Sequence, residues 1–187
     1  AWGVLMYNSA SVFSATFART YSSSLPPRLG VGDLEGNLLW GREMDVRFPR
    51  AHDADGDGRA EILCVLEGRM AILSPDDGSV LHEAPLPESC PFQGMRGTPV
   101  DPDLFPWYAA DLSGNGQQRE ILFKDDRDSH GGRTLWAYDS QLRPLWTARV
   151  GHPRYGHALA MCDINGDGRD EILAGFHCFD ADGKLLW

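Results

Sequence analysis

The 187-residue sequence lacks an apolar run approaching the roughly 20 residues of a membrane-spanning helix, and it lacks long helical patterns. Basic side chains are also scarce. The 17 lysines and arginines against 27 acidic residues leave a net charge of −10, which argues against nucleic acid as the main partner. The chain starts at Ala1 without a visible signal peptide. We interpret it as a fragment or a processed chain, so the missing signal says nothing about export.

Cysteine is rare as well, and its spacing excludes one common use. None of the four cysteines lies in the C-x-x-C pattern of a zinc site. We expect buried free thiols, with a disulfide between Cys162 and Cys178 as the alternative. The four residues are Cys64, Cys90, Cys162 and Cys178.

The sequence is rich in glycine and in acidic residues that alternate along three short segments. The clearest is 163–171, with oxygen-bearing side chains at positions 1, 3, 5 and 9 and glycine at positions 4 and 6. Segment 53–61 repeats this pattern, and segment 111–120 is a looser copy with one extra residue. Such a turn can wrap one Ca²⁺, which takes about six to eight oxygen ligands. Each copy is followed by Ile-Leu, so the sequence predicts a structural repeat.

The sequence after each loop also repeats. It reads as a short apolar strand, a second strand, an Asp/Gly turn and a final strand. Successive loops begin 58 and then 52 residues apart. Short strands at this period predict propeller blades of about four strands each. The innermost strands would be 46–52, 107–110 and 157–162. Pro49 is tolerable in the first of them because an innermost strand has one unpaired edge.

The predicted fold is therefore all-β, an open arc of a β-propeller with about three four-stranded blades and part of a preceding blade. One partial and three full units do not close a ring that usually has about four to eight blades. All units belong to one propeller fragment. The predicted segments are 1–40 for the tail strands of a partial blade, 41–86 for the blade with the first calcium loop, 87–147 for the blade with the degenerate loop, and 148–187 for the blade with the third calcium loop.

Tryptophan marks the ends of the repeats. Trp40, Trp146 and Trp187 each follow an aspartate by seven residues. This common position predicts that they pack blades together rather than stack on sugars. Trp107 and Tyr108 follow a long connection, so they are candidates for ligand stacking, with a core position as the alternative.

These loops resemble the FG-GAP/VCBS type of β-propeller repeat, whose mark is an Asp-x-Asp/Asn-x-Asp-Gly-x-x-Asp/Glu loop between the first two strands of a blade. The resemblance covers most of 29–187 and implies a loop that binds Ca²⁺ and clamps its blade. The second loop departs from the pattern at Ser113 and Asn115 and by its extra residue, so a metal there is in doubt. Carried over by position, the ligands are Asp53, Asp55, Asp57, Glu61 and the carbonyl of Arg59, and then Asp163, Asn165, Asp167, Glu171 and the carbonyl of Arg169.

Two alternatives compete with a propeller-type calcium site. An EF-hand needs an acid at loop position 12 and flanking helices. Here position 12 is Cys64, Leu122 or Ala174, and the flanking segments are predicted strands. The other alternative is an acidic turn without metal, although carboxylates packed together repel one another when no cation is present.

Long polar connections on a rigid scaffold are where function concentrates, and blade geometry puts them on the face opposite the calcium loops. On that face we expect His152, Arg154, Tyr155 and His157 to form a cluster suited to an acidic sugar. Lyase-type β-elimination needs a cation for the uronate carboxylate, a base for the α-proton and an acid for the leaving oxygen. Arg154 suits the first role and His157 or Tyr155 the others. The alternative is that these side chains only cap, pack or face solvent.

Segment 156–163, with its Asp-Gly-x-Leu-Leu-Trp tail, is also similar to propellers of secreted polysaccharide lyases such as rhamnogalacturonan lyases. This implies a calcium-binding segment of a secreted carbohydrate-acting protein, and a lyase on acidic polysaccharide if it is an enzyme. The alternative is a non-catalytic propeller for adhesion or carbohydrate binding. Expected partners are an acidic polysaccharide or glycan and the remaining blades of a parent chain. Such calcium sites suit millimolar free Ca²⁺, so we expect an extracellular or periplasmic location.

Overall fold

The computed structural model describes residues 4–8, 28–33, 37–87, 107–124, 134–149 and 159–187, and these residues form fourteen strands. Within those ranges no helix is long and apolar enough to cross a membrane. The all-β prediction is confirmed. The strands are β1 (Val4–Asn8), β2 (Arg28–Gly32), β3 (Leu38–Glu43), β4 (Val46–His52), β5 (Glu61–Leu66), β6 (Arg69–Leu73), β7 (Val80–Pro85), β8 (Trp107–Ala110), β9 (Glu120–Lys124), β10 (Thr134–Tyr138), β11 (Pro144–Arg149), β12 (Leu159–Cys162), β13 (Glu171–Ala174) and β14 (His177–Phe179).

The strands form four antiparallel sheets, each built from strands that are consecutive in sequence. Their orders are β1-β2-β3, β4-β5-β6-β7, β11-β10-β9-β8 and β12-β13-β14. This up-and-down order is that of propeller blades, so the predicted fold class is confirmed. The predicted innermost strands 46–52 and 107–110 are β4 and β8, and the third is described from Leu159 onward as β12. The four segment boundaries stay a prediction.

The last residues of the chain continue the final sheet. Leu185 forms an antiparallel bridge with Phe179. The amide N–H of Cys178 donates to the carbonyl of Trp187 over 2.9 Å, and that of Leu186 donates to the carbonyl of Cys178 over 2.8 Å. The tail therefore runs beside β14 as β11 runs beside β10.

The chain divides into two compact units, each with its own apolar core. The first is built on sheets β1–β3 and β4–β7, and the second on the other two sheets together with Asp53–Gly58. In the first unit, Leu29 and Val31 of β2 share a core with Ile62 and Leu73 of the next sheet. The second core joins residues of the β8–β11 and β12–β14 sheets, namely Ala110, Leu112, Leu122, Leu135, Ala137, Ala148, Leu159, Ile172, Ala174, Phe179 and Ala181.

Pro49 lies in a bulge of an edge strand. Strand β4 pairs with β5 at Arg47 and again at Arg50, and the register shifts between them. Phe48 within this bulge takes a φ of 52°. A bulge leaves residues outside the hydrogen-bond ladder, which accommodates a residue without an N–H. Strand β4 is an edge strand, as expected, and the bulge is what accommodates Pro49 there.

The cysteines in the described ranges are free thiols. Cys64 and Cys178 are buried, as predicted, whereas Cys162 is exposed, so the prediction of a buried thiol is wrong there. The alternative Cys162–Cys178 disulfide is not formed. Burial raises the pKa of the Cys64 thiol to about 12, which keeps it protonated at neutral pH. Cys90 lies outside the described residues.

Candidate metal centre

Each acidic loop is folded around the carboxylate of its first residue. In loop 163–171, Asp163 accepts the amide N–H groups of Gly166 over 2.7 Å and Gly168 over 2.9 Å. Both glycines have positive φ, 79° and 87°, a conformation that glycine adopts without strain. Asp53 and Asp111 make the corresponding pairs of bonds in their own loops. The Asp and Gly spacing read from the sequence thus has a local cause, since one carboxylate closes the turn.

Loop 53–61 brings three acids together. Ligand oxygens of Asp53, Asp55 and Glu61 lie within 4.8 Å of one another, and the Glu61 side chain is buried. Two oxygens bound to one Ca²⁺ at about 2.3–2.6 Å can be no more than about 5 Å apart. The spacing therefore fits a shared cation. Asp57, the other predicted carboxylate ligand of this loop, is exposed.

Loop 163–171 shows the same convergence through an amide. The Nδ2 atom of Asn165 donates to Asp167 over 3.1 Å and to Glu171 over 2.9 Å. Glu171 is buried and also accepts the backbone N–H of Ile164 over 2.8 Å. The positively polarised amide group thus occupies a place where two carboxylates point, and a cation would satisfy the same oxygens. These donors suit Ca²⁺, a hard ion that prefers carboxylate and amide oxygens.

Loop 111–120 is satisfied by its own backbone. Asp111 accepts N–H groups from Gly114, Asn115 and Gly116 over 2.6–3.0 Å. Glu120 accepts the N–H of Leu112 over 3.0 Å. The loop has only these two carboxylates, fewer than its two neighbours in the sequence, so it is the poorest candidate of the three.

The arginines at the seventh loop position have side-chain contacts that the sequence analysis did not anticipate. Arg59 pairs with Asp76, and Arg169 pairs with Asp182 over 2.6 Å. In both repeats the guanidinium thus reaches the Asp/Gly turn of its own sheet. Arg169 also donates through Nε to the carbonyl of Leu112 over 2.6 Å, across 57 residues of sequence. The sequence signal for these contacts was an arginine at the same position of both loops. It did not identify the partners, because the carboxylates lie 17 and 13 residues away in the sequence.

The end of the β8–β11 sheet away from its acidic loop is packed with aromatic side chains. Trp107 is 1% exposed and meets Phe123 edge to face, with ring centroids 4.9 Å apart. Phe123 in turn contacts Trp136 at 5.9 Å. A side chain this buried cannot stack on a ligand, so Trp107 belongs to the core. Lys124, the last residue of β9, is also fully buried, which its sequence context did not indicate.

The predicted catalytic residues Arg154, Tyr155 and His157 lie outside the described residues. Their roles stay predictions, and so does the placement of a substrate face opposite the acidic loops.

Comparison with known proteins relates this chain to polysaccharide lyases. It is 25% identical over 203 residues to the rhamnogalacturonan endolyase YesW of Bacillus subtilis, a match that covers 82% of this chain and 32% of that enzyme. The structure superposes on the rhamnogalacturonan lyase PL11 of Bacillus licheniformis with a TM-score of 0.61 and 21% identity, over 86% of this chain and 35% of that one. The chain thus spans about a third of the length of the relatives it matches.

A second kind of protein shares the fold. The biofilm matrix protein Bap1 of V. cholerae matches with a TM-score of 0.51 and 25% identity, over 86% of this chain and 24% of that one. No protein-family model matches the sequence, so the resemblance to FG-GAP/VCBS repeats is not confirmed.

Proposed function

We propose that this chain is a calcium-binding repeat segment of a protein that cleaves acidic polysaccharide as a lyase. The observation that carries the proposal is the sequence relation to a rhamnogalacturonan endolyase over 82% of the chain. The convergence of acidic and amide side chains in loops 53–61 and 163–171 supports the calcium part of the proposal. Because sites of this kind suit millimolar free Ca²⁺, we also propose an extracellular or periplasmic location.

The proposed chemistry is β-elimination at a uronate residue. Arg154 would hold the uronate carboxylate, which stabilises the negative charge that develops next to it. His157 would remove the proton from the carbon beside that carboxylate as the bond to the leaving oxygen breaks and a carbon–carbon double bond forms. Tyr155 would donate a proton to the leaving oxygen. In this proposal the acidic loops clamp the scaffold and take no part in the chemical step.

The activity test follows the ultraviolet absorbance of the unsaturated uronate product, with rhamnogalacturonan as substrate and homogalacturonan for comparison. It uses the parent protein, with His157→Ala and Arg154→Ala as the site variants. His82→Ala is the matched control because His82 is a half-buried residue on β7. Loss of a general base or of a charge-stabilising group costs about 10²–10⁴-fold in rate. If the site variants are as active as His82→Ala, His157 and Arg154 do not have the proposed roles.

The calcium test measures heat of binding in chelator-treated protein. We expect two sites, lost one at a time by Asp53→Asn and Asp163→Asn and both retained in Asp111→Asn. Removing one charged oxygen ligand weakens a site that depends on carboxylate charge. Binding that is absent, or unchanged by both ligand variants, would contradict the calcium proposal while leaving the lyase assay unaffected.

The alternative is a non-catalytic propeller for adhesion or carbohydrate binding, which the likeness to the biofilm matrix protein Bap1 supports. It predicts retention of glycans on an array without formation of an unsaturated product. The two functions therefore separate in one pair of measurements on the same protein.

A further inference from the structure

An aromatic ring lies exposed at the tip of the turn that joins β13 to β14. Phe176 is 79% exposed, more than any other large apolar side chain in the described ranges. Ala174 pairs with His177, so Gly175 and Phe176 are the two residues of a hairpin turn. Gly175 has a φ of 62°, the conformation that the favoured two-residue hairpin turns require at their first position. The short turn therefore presents the ring to solvent on a regular backbone.

The base of this turn is fixed by the residue that follows Phe176. His177 is buried, and its Nδ1 donates to the carbonyl of Ala174 over 3.3 Å. Its imidazole also stacks on the Phe179 ring, with centroids 6.3 Å apart. A side chain on a backbone that is already held loses little conformational freedom when a ligand packs against it, and such preorganisation favours binding.

The exposure of Phe176 follows from its place in the turn. In the β4–β7 sheet Leu66 pairs with Arg69, so Glu67 and Gly68 form the corresponding two-residue turn. Both are exposed, although a further sheet, β8–β11, follows this one in the chain. A Cβ at Gly68, the position of Phe176, would meet no atom of the described residues within 4 Å. A side chain at this position therefore faces solvent in a sheet that has a successor as well as in the last sheet.

The turn lies at the end of its sheet where the proposed catalytic segment joins. Strand β13 runs from Glu171 of the acidic loop to Ala174, so the acidic loop and the turn lie at opposite ends of the sheet. At the turn end, Ala174 pairs with Leu159, the first residue of β12. His157, the proposed base, precedes Leu159 by two residues in the sequence. The turn therefore borders the end of the sheet at which the proposed chemistry is expected.

The turn carries no charge that could hold a carboxylate. Segment 172–179 contains no lysine, arginine, aspartate or glutamate. Phenylalanine also lacks the polar group of tyrosine or tryptophan, so it offers an apolar surface alone. Of the two sugars in rhamnogalacturonan, galacturonate is an anion, whereas rhamnose is a neutral deoxysugar with a methyl group. The chemistry of the turn therefore matches rhamnose.

We propose that Phe176 packs against a rhamnosyl residue of the polysaccharide and thereby favours rhamnogalacturonan over a chain of galacturonate alone. The methyl group and the C–H face of rhamnose would cover the ring, while Arg154 holds the neighbouring uronate carboxylate. Apolar and aromatic side chains with a few placed polar groups are the usual lining of ligand sites. The proposal rests on the proposed function for the identity of the polysaccharide, and it adds the residue that distinguishes the two sugars.

The test measures contact with the sugar by saturation transfer difference NMR on the parent protein. The ligand is the disaccharide of galacturonate and rhamnose with galacturonate at its non-reducing end. Its galacturonate has no sugar on the oxygen that leaves in β-elimination, so the disaccharide binds without being cleaved. Phe176→Ala removes the ring, and Phe176→Tyr retains it. Leu145→Ala is the matched control, because it removes an apolar side chain that is 49% exposed on β11.

We expect the rhamnose methyl protons to receive the strongest saturation in the wild-type protein, in Phe176→Tyr and in Leu145→Ala. Phe176→Ala should reduce this signal several-fold. It should also raise the dissociation constant for the disaccharide about tenfold, the lower end of the effect expected for burying a side chain of this size. Its affinity for digalacturonate, which has no methyl group, should not change.

Equal methyl signals in the wild-type protein and in Phe176→Ala overturn the proposal. So does an alanine variant with a lowered melting temperature and an unchanged methyl signal, which assigns the ring to packing within the parent chain. An equal loss of affinity for digalacturonate also overturns it, because the ring then does not distinguish the sugars. A methyl signal that depends on Phe176 in a parent protein without lyase activity supports the contact and contradicts the lyase function.

Discussion

At the scale of single residues, Gly183 meets two demands that no other residue type satisfies together. Its φ is +78°, and a Cβ would lie 2.6 Å from Trp146. A left-handed backbone costs an L-residue about 1–2 kcal/mol, and overpacking a tight contact costs about 1–3 kcal/mol more. The turn and the indole therefore depend on the same missing side chain.

We predict that Gly183→Ala lowers the free energy of unfolding by about 2–5 kcal/mol, measured by urea denaturation. Gly68→Ala is the matched control, because Gly68 has a φ of +81° and nothing within 4 Å of the added Cβ. In the control only the left-handed backbone is strained, so we expect its free energy of unfolding to fall by about 1–2 kcal/mol. Equal losses in the two variants would show that the contact with Trp146 contributes nothing.

At the scale of elements, Arg169 connects three segments. Its guanidinium holds Asp182 of the turn 180–184, and its Nε donates to the carbonyl of Leu112 in the acidic loop 111–120. The hydrogen bond from Arg169 lowers the pKa of Asp182, and the same contact raises the pKa of Arg169. A carboxyl whose folded pKa is depressed contributes stability above its unfolded pKa of about 3.9, and this stability is lost as pH falls through the folded pKa.

We predict that Asp182→Asn lowers the melting temperature at pH 7, and that the difference from wild type shrinks as the pH falls below about 4. Calorimetry in EDTA excludes any contribution of metal binding at the acidic loops from the comparison. Lys184→Gln is the control, since it changes a charge in the same turn and lysine does not titrate in this range. A difference for Asp182→Asn that stays constant from neutral to acid pH would assign its effect to packing rather than to the ion pair.

At the scale of the whole molecule, the net charge of −10 is concentrated in part in the acidic loops. A ligand that binds only the folded state stabilises it by about 2.7 kcal/mol at a hundred times its dissociation constant. For a chain of this size each kcal/mol shifts the melting temperature by about 2–4 °C. Calcium at both proposed sites should therefore have a large effect on thermal stability.

We predict that Ca²⁺ at a hundred times its dissociation constant for both sites raises the melting temperature by about 10–20 °C relative to EDTA. The double variant Asp53→Asn, Asp163→Asn should lose most of this gain. Mg²⁺ at equal ionic strength is the control, because it demands octahedral geometry and keeps its water ligands. The same shift with Mg²⁺ would indicate general charge screening instead of specific sites.

The local features of this protein were readable from the sequence. The Asp and Gly spacing predicted the three loops, because each turn is closed by a carboxylate three to five residues before the amides it accepts. Strands β4 and β8 were predicted with their bounds, since each runs directly into an acidic loop whose first aspartate marks the end of the strand. The common position of Trp40, Trp146 and Trp187 predicted packing. The hydrogen bonds of Trp40 and Trp146 to later turns agree with it, whereas Trp187 is 66% exposed.

Contacts between sheets were decided only by the tertiary structure. The sequence gives no sign that Arg169 reaches a carbonyl 57 residues away, or that Trp146 and Trp187, alike in spacing, differ in environment. Spacing fixes which way a side chain points from its strand, because side chains alternate along the backbone. What covers that side chain depends on which sheet packs against it, and that is a property of the assembled fold.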